Sequence, residues 1–393
     1  MNALFHHRSL PALILAGAVA ALGAACERRS DGGSTPTTGD IVVGFYGSLT
    51  GDGASFGQSS REGAELAVEE VNNAGGLLSG RKIRMLVEDD QSRPEEASNA
   101  VTKLVTQDRV VAVIGEVASR RTLAAAPVAQ RYKVPLITPA STNEKVTAVG
   151  DYIFRVCFID PFQGEVLAKF AYSDLKARRA AILTDITQDY SVGLTAAVTE
   201  EFKKAGGTVL PPVSYSSGDA DFRAVLTQLR SQKPDAIFAT GYYPEAAIIV
   251  RQARELGLTV PILGGDGWVG DSLKNGREAL KNTYISNHYS GDNPDPVVQN
   301  FVKSYRAKFN KEPDSIAALG YDSIKVLADA IARAGSTDGA RVRDMLASGD
   351  VAGVTGRLKM NAQRNVDKPA VVQEVTFVNG DVKFVYKTTV NPS

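Results

Sequence analysis

The chain has 393 residues, with 44 basic and 44 acidic side chains and a formal net charge of zero. At 44% hydrophobic and 22% charged residues, it can bury a large core, and its length suits two to three domains. The balanced charge excludes both a basic field for nucleic acid and an acidic field for cationic partners.

The N-terminus reads as a targeting segment. His6, His7 and Arg8 form a weakly positive start, and Leu10 to Leu22, "LPALILAGAVAAL", is an apolar run too short to span a bilayer as a stable helix. Small residues follow, "LGAAC", up to Cys26. This resembles the bacterial lipoprotein cleavage box, in which the cysteine is lipidated and becomes the new N-terminus. It departs from that box in one position, since Leu22 stands one residue early and Gly23 takes its place. Plain secretion with cleavage beside Cys26 is the alternative. Residues 1–25 are therefore expected to be a lipoprotein signal peptide. Residues 26–39, within "ERRSDGGSTPTTGD", are expected to be a flexible tether from a lipid anchor on Cys26. The second cysteine, Cys157, lies in the apolar run "YIFRVCFID" and reads as a buried small hydrophobe.

From Asp40 onward, strands and helices alternate. "IVVGFYG" is a predicted strand and "REGAELAVEEVNNAGG" a helix closed by Gly75 and Gly76. "KIRMLVED" is a strand, "PEEASNAVTKLVTQ" a helix opened by Pro94, and "VVAVIG" a strand. A helix from Ser119, carrying Arg120 and Arg121 in its first turn, leads to the short strand "VPLITP". The alternation restarts at Asp160: helix "PFQGEVLAKFAYSDL", strand "RAAILTD", helix "YSVGLTAAVTEEFKKAGG" and strand "TVLPPVSY". It continues with helix "DFRAVLTQLRSQ", strand "DAIFAT", helix "PEAAIIVRQARELG" and strand "VPILGG". Apolar strands alternating with helices argue for parallel sheets covered on both faces. Beyond about Ser286 three helical stretches precede three strand-like ones, "VTGRLKM", "AVVQEVTFV" and "VKFVYK", a tail able to complete both halves.

The chain resembles the type I periplasmic binding proteins, in particular the leucine/isoleucine/valine-binding family of ABC transporters. The resemblance is carried, in order, by "GSLTGDGASFGQSSREGAELAVEEVNNAGG", "DDQSRPEEASNAVTKLV", "VIGEVASRRT", "PLITPAST", "TGYYPEAAIIVRQARELG" and "GGDGW". It implies an α/β fold of two Rossmann-like lobes with parallel sheets, joined by a three-crossing hinge with ligand in the cleft. The crossings are expected near 157–160, 286–290 and 367–370. That divides the body into an N-terminal lobe of 40–158 plus 288–368 and a C-terminal lobe of 159–287 plus 369–393. It further implies a monomeric, extracytoplasmic substrate-binding protein, anchored in the periplasm or on the outer face of the cell membrane. Such a protein delivers an amino acid to an ABC permease in the inner membrane. Amides, aromatic or carboxylic acids as ligands, and a role as ligand sensor for a signalling receptor, remain alternatives.

In open α/β sheets ligands sit beyond the carboxyl ends of strands, at helix N-termini. Loops there offer Phe56, Ser119 (read as a helix cap), Ala140, Ser141, Thr142, Tyr190, Tyr242, Asp266 and Trp268. Sorted by chemistry they suit a zwitterion. Hydroxyls of Ser119 and Thr142 with helix N–H groups fit a carboxylate, Asp266 and the Ala140 carbonyl fit an ammonium, and the aromatics form an apolar wall. The resemblance points to the same positions, though its members often carry a longer Glu where Asp266 stands and a Tyr where Phe56 stands. Blander readings exist for each: Asp266 as turn former, Tyr190 and Tyr242 as core, Trp268 at the rim or under a loop. Arg120 and Arg121 are read as facing outward at the cleft rim and pairing with Glu116; an inward-turned arginine implies a ligand with extra negative charge. Neither a catalytic machinery nor a metal or cofactor site is expected. Past the signal His288 is the only histidine, with a surface or hinge role, and Gly51-x-Gly53-x-x-x-Gly57 lacks the Lys-Ser/Thr of a phosphate loop. The Asp89–Asp90 pair is read as solvated or capping.

Overall fold

The computed structural model describes residues 39–392. The expected signal peptide, the expected tether up to residue 38 and Cys26, the expected lipidation position, lie outside the described residues. The first half winds β1 (Ile41–Gly47), α1 (Ala54–Asn73), β2 (Ile83–Asp89), α2 (Pro94–Thr106), β3 (Val113–Ile114), α3 (Ser119–Tyr132), β4 (Leu136–Thr138), α4 (Lys145–Ala148) and β5 (Ile153–Arg155). Its five strands pair in parallel in the order β2-β1-β3-β4-β5. Local signals explain the element ends. Gly75 and Gly76 take positive φ just past α1, where side-chained residues are strained, and Pro94 opens α2 without needing an amide donor.

The second half holds α5 (Asp160–Lys169), β6 (Arg179–Asp185), α6 (Asp189–Lys204), β7 (Thr208–Val209), β8 (Val213–Tyr215), α7 (Arg223–Ser231), β9 (Ala236–Ala239), α8 (Tyr243–Glu255), β10 (Ile262–Gly264) and β11 (Thr283–Asn287). "TVLPPVSY" is two strands, because Pro211 and Pro212 have no amide to donate to a ladder. The helix from Asp160 ends in a π-helical turn over Phe170–Asp174.

The tail divides between the halves. Helices α9 (Pro296–Phe309) and α10 (Ser315–Ala334) pack on α1, and α11 (Gly339–Ala347) packs on α10. Each has an aspartate at its N-cap, Asp295, Asp314 and Asp338, whose carboxylate accepts a backbone N–H. A small hairpin of β12 (Asp350–Gly353) and β13 (Gly356–Lys359) follows. Then β14 (Ala370–Val378) and β15 (Asp381–Val390) join the second sheet beside β11, in the order β15-β14-β11-β10-β9-β6-β7, with β8 on β6. Both are antiparallel, so this sheet is mixed where parallel pairing alone was expected. Strand β14 arrives by a crossing from the other half, not through a βα unit, and is free to run the other way.

The chain thus passes between the sheets three times. Each passage is buried. Cys157 and Phe158 line the first, His288 the second and Lys368 the third, at 0%, 1%, 3% and 1% exposure. Cys157 is indeed a buried apolar side chain, its thiol pushed up to about 12 by burial. Lys368 Nζ donates to Thr355 Oγ1 at 2.6 Å, and burial holds its pKa down at about 8.

Candidate functional site

The loops after β1, β3 and β4 face the loops after β6, β9 and β10 across the two halves. On the first side, Glu116 organises the turn into α3. Its carboxylate accepts the Ala118 N–H and the Ser48 hydroxyl, the latter at 3.1 Å, and its side chain is fully buried. Ala118 with its extended backbone is the N-cap of α3. Ser119 is therefore the first helical residue and not the cap expected; its Oγ accepts the Asn143 N–H at 3.3 Å. Ser141 is tied inward, donating to the Glu116 carbonyl at 2.9 Å and lying 2.7 Å from Thr122 Oγ1. Ala140 is 5% exposed. Thr142 Oγ1 is buried without a hydrogen-bond partner. Arg155, itself fully buried, fixes this loop by donating to the carbonyls of Ser141 and Asn143 at 2.6 and 2.9 Å.

The two arginines part company. Arg120 reaches across the halves, its Nη1 donating to the Thr187 carbonyl at 2.6 Å. Arg121 turns inward, which corrects the outward reading, and its Nε stands 3.0 Å from Glu116 Oε2 as an ion pair outside hydrogen-bond geometry. Asp90 shares this pocket. Burial and the Glu116 charge push its carboxyl up to about 7, against the pull of Arg121. Ser48 Oγ lies 2.7 Å from Asp90 and 3.1 Å from Glu116, and its one proton cannot serve both, so a carboxyl proton on Asp90 fits the geometry. Arg121 is thus offset by the Glu116 carboxylate on its own side, and it presents no surplus positive charge to a ligand. Asp89 caps the first loop as read, accepting the amides of Leu49 and Gln91 at 2.9 and 2.8 Å.

Across the cleft, Asp266 opens a short 3₁₀ turn after β10 and is 4% exposed. Its Oδ1 accepts from Gln163 Nε2 at 2.8 Å and from the Tyr190 hydroxyl at 3.0 Å, and its Oδ2 lies 2.8 Å from His288 Nε2. Burial pushes the His288 pKa down to about 4, so the ring is neutral at physiological pH, and the carboxylate requires the proton on Nε2. His288 is stacked on Phe158 with centroids 3.7 Å apart, a hinge position and not a surface one. The Tyr190 and Tyr242 rings stack at 4.9 Å, and Phe56 meets Tyr242 and Tyr243 edge-on at 5.5 and 4.8 Å. Trp268 is fully buried under this loop, its indole occupying the space where a Cβ on Gly264 would sit.

Several residues of this region were not singled out from the sequence. Asp160, Gln163 and Asn143 belong to it, and Tyr243, not only Tyr242, carries contacts between the halves. Asp160 had a signal, being the lone charge at the end of the apolar run "VCFI" with a proline after it. Among the described residues no group of His, Cys, Asp and Glu is arranged to hold a metal ion.

The family model described as periplasmic binding protein matches residues 40–381. An amino acid binding protein of Pseudomonas aeruginosa is 34% identical over 328 residues, 82% of this chain and 87% of that protein. The leucine-binding protein LivK of Thermotoga maritima is 41% identical, with a TM-score of 0.84 over 90% of this chain and 99% of that one. The branched-chain amino acid transporter substrate-binding protein LivJ of Streptococcus pneumoniae, solved with isoleucine, is 36% identical, with a TM-score of 0.83 over 90% of this chain and 100% of that one. With its two wound sheets, its three crossings and these matches along nearly the whole body, the chain belongs to the type I periplasmic binding proteins, on the leucine/isoleucine/valine-binding side of that family.

Proposed function

We propose that the protein captures an L-amino acid with an uncharged, apolar side chain in the cleft and hands it to an ABC permease. The carrying observation is the opposite chemistry of the two faces. The first offers the N-terminal end of α3 with the Ser119 and Thr142 hydroxyls, a setting for a carboxylate. The second holds the carboxylate of Asp266 with neutral donors only, leaving its charge for an ammonium. Phe56, Tyr190 and Tyr242 are the wall for the side chain. Because Glu116 already balances Arg121, an acidic side chain would find no free cation there. Ala140 contributes its carbonyl, while Ser141 and Trp268 support the site from behind.

The lobe boundaries stand as proposed, 40–158 plus 288–368 and 159–287 plus 369–393, with closure of one on the other as the binding step. Lipidation of Cys26 would hold the body at a membrane; no helix among the described residues is long and apolar enough to cross one. The test is calorimetry and thermal shift on residues 39–393 with L-leucine, L-isoleucine, L-glutamate and benzoate. Leucine or isoleucine is expected to raise the melting temperature, and Asp266→Ala to abolish the effect. Stabilisation by benzoate alone would sink the zwitterion reading.

A further inference from the structure

Four oxygens near Asp266 have no hydrogen-bond partner although they are buried. They are both carboxyl oxygens of Asp160, the Thr142 hydroxyl and the Gln163 side-chain carbonyl. Asp160 is 2% exposed, and Thr142 and Gln163 are fully buried. They are drawn together by the fold. Asp160 and Gln163 share one face of α5, one turn apart. The Asp160 amide donates to the Thr142 carbonyl at 3.0 Å, and Gln163 already spends its Nε2 on Asp266. A Cβ added to Gly193 of α6 would stand 2.6 Å from Asp160 Oδ2 and 2.7 Å from Asn143 Nδ2, so only glycine leaves room for both. A first-turn acid usually caps its own helix, but the N-terminus of α5 has no side-chain cap, so that ordinary role does not explain Asp160.

Unsatisfied buried oxygens are costly, and an isolated buried carboxylate more so. With Asp160 ionised all four can accept, and only Thr142 can also donate. The group that satisfies such a set donates several N–H bonds and accepts none, as an ammonium does. We propose that Asp160 is a second carboxylate of the cleft, meeting the ligand ammonium together with Asp266, with Thr142 and Gln163 completing its donor-seeking ring. The inference rests on the amino acid reading above and extends it to a residue that reading does not use.

A proton follows from the same geometry. Two carboxylates in one dry pocket do not both ionise without a cation. Burial pushes the Asp160 carboxyl up to about 8, reinforced by the Asp266 charge and by Glu144 at the start of α4. The Thr142 hydroxyl, close to this carboxyl but outside hydrogen-bond geometry, and the Arg155 guanidinium of β5 oppose this. From α6 and the N-cap of α8 it faces Tyr190 and Tyr242, both kept neutral by burial. Asp160 is therefore protonated at neutral pH until a cation arrives. Binding of the ammonium releases that proton to solvent, and the ligand's own proton inventory is unchanged.

Calorimetric titration with L-leucine at neutral pH, in two buffers of different ionisation enthalpy, reads this release directly. Wild-type protein is expected to release close to one proton per leucine. Its affinity is expected to tighten by nearly tenfold per unit from about pH 6 to about pH 7.5. Asp160→Asn is expected to bind at least about tenfold more weakly, with no proton release and a flat pH profile. Leucine binding by wild-type protein without proton release, and with a flat profile, overturns the inference and leaves the amino acid reading intact. That measurement needs no variant, so poor folding of Asp160→Asn does not shield the proposal. Failure of wild-type protein to bind leucine or any other L-amino acid overturns the amino acid reading, and this inference with it.

Discussion

Asp266 is held by Gln163, Tyr190 and His288, and of these His288 alone sits at a crossing between the sheets. A charge change on His288 would therefore act on the site and the hinge together. Its folded pKa of about 4 lies below the 6.5 of a free histidine. The unfolded chain takes up a proton that the folded one refuses, so the sign is fixed. Stability is fully present above about pH 6.5 and is lost as pH falls towards 4. The shift corresponds to about 3 kcal/mol over that range, of which about 2 kcal/mol is gone by about pH 5. Asp160 and Asp90, both raised, act in the opposite sense in this window, so the total curve does not isolate the histidine. A comparison does. His288→Gln keeps an N–H for Asp266 and removes the titration. Urea unfolding at about pH 7 and about pH 5 should show the wild type losing about 2 kcal/mol more than the variant. Equal losses would mean that His288 does not titrate on unfolding.

At the scale of elements, the crossing of α1 and α10 sets the shape of the first lobe. A Cβ on Gly63 would overlap the Ala317 carbonyl of α10, and one on Gly320 would overlap the Ser60 carbonyl of α1. Helix propensity alone says Gly63→Ala should stabilise α1 by up to about 1 kcal/mol. Packing says the opposite, because backbone carbonyls cannot step aside as a flexible side chain can. The expected outcome is a loss of about 2–3 kcal/mol and a lower melting temperature. A rise in melting temperature would show that the crossing yields. Nothing in the sequence marks these two glycines, since a helical glycine reads the same whether it faces solvent or another backbone. Much else at this scale is legible: the periodicity places α9, α10 and α11 and the paired glycines end α1, whereas "TVLPPVSY", read as one strand, is broken into β7 and β8 by its paired prolines. What sequence reasoning misses depends on partners far apart in the chain. The direction of β14, the inward turn of Arg121 beside Asp90, and the identity of the α3 cap are of this kind, whereas the Glu116 partner was read from the sequence. For the candidate site, the loops were legible from the strand–helix alternation and the family resemblance. The orphaned oxygens of Asp160 and Gln163 were not, because being without a partner is a property of the whole neighbourhood.

For the whole molecule, the two halves are held together by few polar contacts, and this makes closure adjustable. Arg120 bonds the Thr187 carbonyl at 2.6 Å, Asn143 Nδ2 bonds the Asp189 carbonyl at 2.8 Å, and the Asp271 amide reaches Ser55 Oγ at 3.3 Å. Tyr243 does the most. Its hydroxyl donates to the Asp52 carbonyl at 2.6 Å and accepts the Ser55 N–H at 3.3 Å, while its ring packs edge-on against Phe56. Tyr243→Phe keeps the ring and removes only the hydroxyl. Each lost hydrogen bond is worth about 0.5–1.5 kcal/mol, and the loss falls on the closed arrangement, because an open cleft separates these groups. A ligand that binds the closed arrangement then pays for a less populated state, and its apparent affinity drops by the same factor. Loss of the two bonds together is expected to make leucine binding about 5- to 150-fold weaker by calorimetry. Small-angle scattering should show a larger radius of gyration for the variant without ligand, returning to the wild-type value at saturation. If affinity falls with no change in radius, Tyr243 touches the ligand and is not a latch; if neither changes, closure does not draw on this contact.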